Sequence, residues 1–304
     1  MMQYVITIAN KNNIREAFEP AKSGVNGDRV FLSDNYVIKF FEGRKEKYFK
    51  NECLIYNELK SDYRSLLIDS GIIQGIKYIL MTRAKGNTLY SIWNELDTTE
   101  RDSCVYQISE ILKEISNLQK AQIIDFREEL NLLYKDIMSQ ISLSDCMSKK
   151  IAEFFNYTIQ FISSQEKGFL TYIDVHFDNF LYYDGRIKAI DFEALKIAPL
   201  DFQMDRWCRM SRHPQIYANN IDKKYIKDEN FLELVNSMKK YYSEAFSYDH
   251  QLERLHLYSL IYNLGVIKKH NITESKMAYL LYEDLSIWQQ KALNNLHSML
   301  FVVI

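Results

Sequence analysis

The sequence predicts an α+β chain, with a small β-rich N-terminal lobe, a mainly helical C-terminal lobe and one hairpin early in the second. Three observations carry this. Short β-rich runs fill the first eighty or so residues. Apolar residues then recur at helical period over residues 99–122 and again over 147–166. Between helical stretches, the pair Asp184-Gly185 splits two apolar runs, "NFLYYD" and "RIKAIDF", a strong hairpin signal.

Taken in order, "DRVFLSD" and "NYVIKFF" read as strands joined by the turn pair Asp34-Asn35. "GRKEKYFKNECLIYNELKSD" places Phe49, Cys53, Ile55, Tyr56 and Leu59 at roughly helical spacing. "GIIQGIKYILMTRA" reads as a second hairpin, turning at Gln74-Gly75. From Leu89 the pattern is mostly helical, and Val105, Ile108, Ile111, Leu112, Ile115 and Leu118 form one stripe. After Asp201 the chain returns to helices. The expected division falls near residues 82–87, giving lobes of residues 1–83 and 84–304.

Composition narrows the class. A chain of 304 residues is long enough for one large domain or two lobes with a sizeable core. A net charge of −2 gives no basic field for nucleic acid or an anionic membrane. No apolar run approaches a membrane span, and "MLFVVI" at the end is too short for one, so it reads as a docked terminus. The first residues show no signal-peptide pattern. Four scattered cysteines without a CxxC speak for free thiols in a reducing, cytoplasmic setting. Only three prolines and nine glycines argue against a flexible linker.

The chemistry concentrates in "LTYIDVHFDNFLYYDGRIKAIDFE", residues 170–193. In an antiparallel hairpin the start of the first strand lies beside the end of the second. Asn179 and Asp191 are therefore expected as neighbours at the hairpin mouth, with Asp174 in the loop just outside. An amide oxygen and a carboxylate converging on one spot suit a hard divalent cation. A further carboxylate close by suits proton transfer from a hydroxyl. Asp and Asn are also ordinary loop residues, and an isolated D-x₄-N carries little alone. Asp184 needs only turn chemistry.

Other pieces strengthen the pattern. Lys39 ends the apolar run "YVIKF", and Glu52 lies in the next helix. A strand lysine followed by a helix glutamate is the pair that orients nucleotide phosphates in kinases. Upstream, the turn "SGVNGDRVF" holds Gly24 and Gly27, where backbone N–H groups can approach phosphate, although it is not G-x-G-x-x-G.

The series "YVIKF", "FKNECLIYNEL", "YILMTRAKGNTL", "YIDVHFDNF" and "IKAIDFE" resembles the bilobal, protein-kinase-like family of aminoglycoside phosphotransferases and choline kinases, over about residues 20 to 205. The resemblance implies an ATP- and Mg²⁺-dependent kinase of small-molecule hydroxyls. It implies Asp174 as the catalytic aspartate and Asn179 and Asp191 as Mg²⁺ ligands. Lys39, held by Glu52, contacts the phosphates in such a site, and Thr82 and Ala84 present backbone groups to adenine. His176 matches a histidine often found after the aspartate. Glu193 stands where protein kinases have the glycine of D-F-G, which places a carboxylate near substrate. Either Asp201 or Asp205 matches the acid that braces the catalytic loop. The chain departs from the family in having Tyr172-Ile173 where His-Gly is usual before the catalytic aspartate.

The substrate stays open between an aminoglycoside, a choline-like amino alcohol and a sugar or nucleoside. Aromatic and acidic residues of the helical lobe (Trp207, Tyr242, Tyr258, Tyr262, Trp288, Asp201, Asp205, Glu283 and Asp284 among them) suit a cationic substrate, but also suit a core. A kinase acting on a protein hydroxyl is the alternative; the short stretch from Asp191 to Asp205 leaves little room for an activation loop. A non-catalytic kinase-like module fits less well, since the lysine, the aspartate and the metal-ligand positions are all present.

Overall fold

The computed structural model describes residues 1–21, 29–41, 46–218 and 222–272, with 281 and 285. The expectations for the terminal "MLFVVI", Trp288, Glu283 and Asp284 lie outside the described residues.

Along the chain run α1 (Met2–Lys11), β1 (Glu19–Pro20), β2 (Val30–Leu32), β3 (Tyr36–Phe41), α2 (Glu46–Glu58), β4 (Leu67–Ile73) and β5 (Ile76–Thr82). There follow β6 (Asn87–Thr88), α3 (Leu89–Ile92), α4 (Thr98–Asn117), β7 (Gln122–Ile124), α5 (Phe126–Met138), α6 (Asp145–Thr158) and β8 (Glu166–Tyr172). Next are β9 (Phe180–Tyr183), β10 (Arg186–Ala189), β11 (Leu195–Ala198), α7 (Leu200–Arg212), α8 (Pro214–Tyr217), α9 (Leu234–Tyr241) and α10 (Gln251–His270). The class is α+β, a small antiparallel sheet followed by a larger helical part, which is the bilobal kinase-like arrangement. No described helix is long and apolar enough to cross a membrane.

The described chain forms two compact units. The first takes residues 1–118, 172–196 and 215–230; the second takes 119–171, 197–214 and 231–304. The first unit therefore gathers the hairpin and α4 with the N-terminal strands.

In the first unit the sheet order is β1-β2-β3-β5-β4. The expected turn at Gln74-Gly75 is present, with φ of 49° and 80°. Positive φ at both central residues is what a tight two-residue hairpin needs. Helix α1 is an element that sequence reading missed. Val5, Ile6, Thr7 and Ile8 are four consecutive β-branched residues and look strand-like. Yet Val5, Ile8 and Ala9 sit on one helical face and pack with Ile14 and Phe18 on Phe31, Ile38, Phe40, Tyr78 and Leu80. Burial of that face outweighs the weak local preference. Lys11 and Asn12 fasten the end of α1 to Asp69 at 2.7 and 3.0 Å.

The 99–122 stripe becomes α4, capped by Asp97, whose carboxylate accepts from Glu100 N–H while Glu100 accepts from Asp97 N–H. The helix stops at Asn117, and Gln122–Ile124 turns into β7, because the apolar stripe ends at Leu118. Gln107 of α4 grips the β9–β10 hairpin, donating to Gly185 O at 2.9 Å and accepting from Ile187 N–H at 3.0 Å. That hairpin turns on Asp184 and Gly185, with φ of 47° and 73°.

In the second unit, Phe126, Phe202 and Tyr258 pack edge to face, with centroids 5.0 to 6.1 Å apart. Helix α6 ends at Thr158, short of the expected 166, and Glu166 begins β8 with its carboxylate accepting from Ser163 N–H at 2.9 Å. Trp207, Tyr242 and Tyr258 are buried core residues.

Candidate active site

Strand β3 places the central cation. Its residues alternate in direction. Ile38 and Phe40 join the apolar cluster under α1, so Lys39 and Phe41 project from the other face, where Phe41 meets Phe49 of α2 at 5.6 Å. Pairing with β2 and β5 fixes this register, with Lys39 opposite Val30 and Ile79.

The Lys39 ammonium sits among three carboxylates, Glu52 at 2.8 Å, Asp191 at 2.7 Å and Glu193 at 2.9 Å. Burial opposes a charge on Lys39, but Glu52, Asp191 and Glu193 outweigh it and raise its pKa above the ordinary lysine range. Burial pushes Glu52 up to about 7, against the pull of Lys39, with Asp191 and Glu193 adding to the rise. Three acids around one ammonium leave an excess of negative charge, so the most buried of them resists ionisation. These acids converge closely enough to suggest a metal cluster. The ammonium already occupies their centre, so they do not form one in this arrangement.

The segment after β10 is held from several sides. Asp191 has φ of 60°, a left-handed conformation that costs energy for a residue with a Cβ. The Tyr172 hydroxyl is 3.2 Å from the carbonyls of both Ile190 and Asp191. Phe192 is buried, with its ring centroid 5.5 Å from Tyr56 and 5.6 Å from Tyr172. Asn51 donates to Glu193 O at 2.7 Å, and Ile173 N–H donates to Ala194 O at 3.0 Å. Asn51 escaped sequence reading, and Tyr56 was placed only on the apolar face of its helix. Their only signal as site residues is that they share the helix of Glu52.

The loop before β9 brings the remaining groups together. Ile190 N–H donates to Asn179 O at 2.9 Å, so the hairpin mouth does set Asn179 beside the Asp191 segment. The Asn179 amide nitrogen lies 3.0 Å from Asp174 O, 3.4 Å from Asp174 Oδ2 and 3.1 Å from His176 Nε2. Phe177 anchors the loop against Tyr90 and Trp93, at 5.4 and 4.5 Å. The Asp174 and Asp191 carboxylates stay partly open, 31% and 47% exposed, while Lys39 is 10% exposed.

Other expected residues fall as follows. Gly24 and Gly27 lie outside the described residues. Thr82 ends β5, and its N–H is already given to Leu66 O at 2.9 Å. Ala84 is half-exposed in the following linker, which docks on the hairpin through β6 and β9. Gly86 in that linker has φ of 121°, and a Cβ there would lie 2.4 Å from Tyr182 O, so the close approach needs glycine.

Asp201 and Asp205 belong to the second unit, and both are buried there. Asp201 pairs with Arg254 at 2.5 and 3.2 Å, and Arg254 also bonds Glu166 at 2.8 Å. Burial raises the Asp201 pKa, against the pull of Arg254. Asp205 holds Arg209 at 3.0 and 2.8 Å, and the Arg209 guanidinium lies 3.6 Å from the Tyr262 ring centre.

No family model matches this sequence, and no curated protein does. Solved structures do match its fold. Aminoglycoside phosphotransferase APH(2'')-Ib bound to ADP is 16% identical, with 93% of this chain and 96% of that one covered and a TM-score of 0.64. A thermostable mutant of APH(4)-Ia in ternary complex with ADP and hygromycin B is 14% identical, with 94% and 98% covered and a TM-score of 0.65. The streptomycin–ATP–APH(2")-IIa ternary complex gives 16%, 94%, 95% and 0.64. The chain thus has the kinase-like fold of the aminoglycoside phosphotransferases.

Proposed function

We propose that this protein is an ATP-dependent phosphotransferase that moves the γ-phosphoryl group to a hydroxyl of a small molecule. The observation that carries the reading is the buried Lys39 ammonium, tied to Glu52 and to the Asp191 segment, with the Asp174–Asn179 loop on the same hairpin. Fixed cation and acids of this kind supply positioning and charge stabilisation, which is most of what phosphoryl transfer asks of a protein. That solved structures of the same fold hold ADP or ATP beside an aminoglycoside supports it.

Lys39 would bind phosphate oxygens, and Glu52 would hold it in place. Asn179 and Asp191 offer an amide oxygen and a partly open carboxylate, hard oxygen donors that fit Mg²⁺. When bound, Mg²⁺ neutralises phosphate charge. Asp174 would orient the substrate hydroxyl and take its proton as that oxygen bonds to the γ-phosphorus and the bond to the bridging oxygen breaks, releasing ADP. The linker at Ala84, rather than the N–H of Thr82, would meet the adenine edge. Glu193 on Lys39 and His176 on Asn179 serve the machinery rather than the substrate in this reading. A cytoplasmic place of action belongs to the same proposal and rests on the four free cysteines.

The test is ATP consumption with mass-spectrometric detection of phosphorylated product, over aminoglycosides, choline, ethanolamine, thiamine, sugars and nucleosides. A product that forms with the wild type and is lost with Asp174→Asn supports the reading. Phosphate appearing on proteins and on none of these compounds would replace it with a protein kinase.

A further inference from the structure

Asn179 can serve a cation only through its amide oxygen, and an amide has two ends. Asp174 O is a carbonyl and can only accept, so the Asn179 group 3.0 Å from it is the NH₂. The same nitrogen lies 3.1 Å from His176 Nε2. A donor there requires Nε2 to be an acceptor, which puts the imidazole proton on Nδ1 and leaves Nε2 bare 3.4 Å from Asp174 Oδ2. Nδ1 faces the Asp178 carboxylate, with Asp178 Oδ2 3.8 Å away. His176 is 9% exposed and Asn179 is 5% exposed, so water does not readily replace either contact. Three acceptors, the carbonyl and the carboxylate of Asp174 and the imidazole of His176, thus surround the NH₂ of one amide. Its Oδ1 is the end left for a ligand.

We propose that His176 is a positioning residue that sets the hand of the Asn179 amide, so that the oxygen rather than the NH₂ meets the divalent cation. The inference rests on the reading of Asn179 as a metal ligand. A metal-ligating group is oriented by the hydrogen bonds behind it, and losing such a partner costs about 10–100-fold in metal affinity. His176 contacts neither phosphate nor substrate in this role.

The test is Mn²⁺ titrated into the protein–ADP complex, with unbound Mn²⁺ read by electron paramagnetic resonance, beside ADP affinity measured without metal. His176→Leu removes the acceptor and is expected to weaken Mn²⁺ by about tenfold or more while metal-free ADP binding stays within about twofold. His176→Gln puts an amide oxygen near the place of Nε2 and is expected to recover most of the loss. In an Asn179→Asp background the ligand has two like oxygens and no hand, so His176→Leu is expected to add little. Wild-type Mn²⁺ affinity in His176→Leu, equal losses in His176→Leu and His176→Gln, or a full further loss on Asn179→Asp would each overturn the assignment. If metal-free ADP binding falls as much as Mn²⁺ binding, His176 merely packs the loop and the proposal fails. Wild-type protein that binds ADP but no Mn²⁺ overturns the metal reading and this inference with it. Tight wild-type Mn²⁺ binding untouched by His176→Leu sinks the inference alone.

Discussion

Asn51 donates its side-chain N–H to the carbonyl of Glu193 at 2.7 Å, one residue before Glu52 in α2 and two residues after Asp191. Helix and segment are therefore joined by this neutral bond, by the Tyr56–Phe192 ring contact and by the Lys39 ion cluster. Asn51→Leu is expected to lower stability by about 1 kcal/mol, the usual worth of one hydrogen bond. Under the proposed function it should also raise the KM for ATP several-fold with a smaller change in kcat, since the Lys39 cluster remains. Urea unfolding and steady-state kinetics check both parts. Unchanged values of both would mean the bond holds nothing.

The Glu52 cluster predicts a pH dependence of the ligand-free protein. Burial pushes Glu52 up to about 7 in the folded protein, from an ordinary carboxylate value of 4.5. Between those values the folded state holds more protons than the unfolded one, so this residue makes stability fall as pH rises from about 4.5 to 7. Glu52→Gln removes that contribution, while Lys39 keeps Asp191 and Glu193. Urea midpoints at pH 5 and pH 7.5 are expected to drop more in the wild type than in the variant.

In the second unit, Arg254 answers two buried acids, Asp201 and Glu166. Arg254→Met strips both of their cation and is expected to cost about 3–5 kcal/mol, the penalty of leaving a buried charge alone. Thermal and urea unfolding measure it. A loss below about 1 kcal/mol would mean that the acids find other partners.

Gly86→Ala forces a Cβ against Tyr182 O in a left-handed backbone, whereas Gly185 has positive φ with open space around it. Gly185→Ala is expected to cost about 1–2 kcal/mol from backbone strain alone. Gly86→Ala should cost more, because the linker must also move off the hairpin. Equal losses in urea unfolding would remove the close approach from the explanation.

Much of the fold and of the candidate site was legible because it is local. The turns at Gln74-Gly75 and Asp184-Gly185 announce themselves, and an antiparallel hairpin sets Asn179 beside the Asp191 segment by geometry alone. What escaped depends on distant partners. Helix α1 forms because a sheet waits for Val5 and Ile8, against the look of its β-branched run. The bond from Asn51 to Glu193 spans 142 positions, and nothing near either residue signals it. Glu193 read as a carboxylate near substrate, and its ion pair with Lys39 joins distant parts of the chain with no local signal.

The two faces of β3 have a consequence for how this chain tolerates change. Ile38 and Phe40 belong to the α1 side, Lys39 and Phe41 to the α2 side. A slip of one residue would send every side chain of the strand to the opposite face. The ammonium would then be driven into the apolar cluster and an isoleucine or phenylalanine into the acids. Single-residue insertions or deletions at the Asp34-Asn35 turn should therefore be far more damaging than point substitutions there. The spacing of that turn is as much a requirement of the ion cluster as the lysine itself.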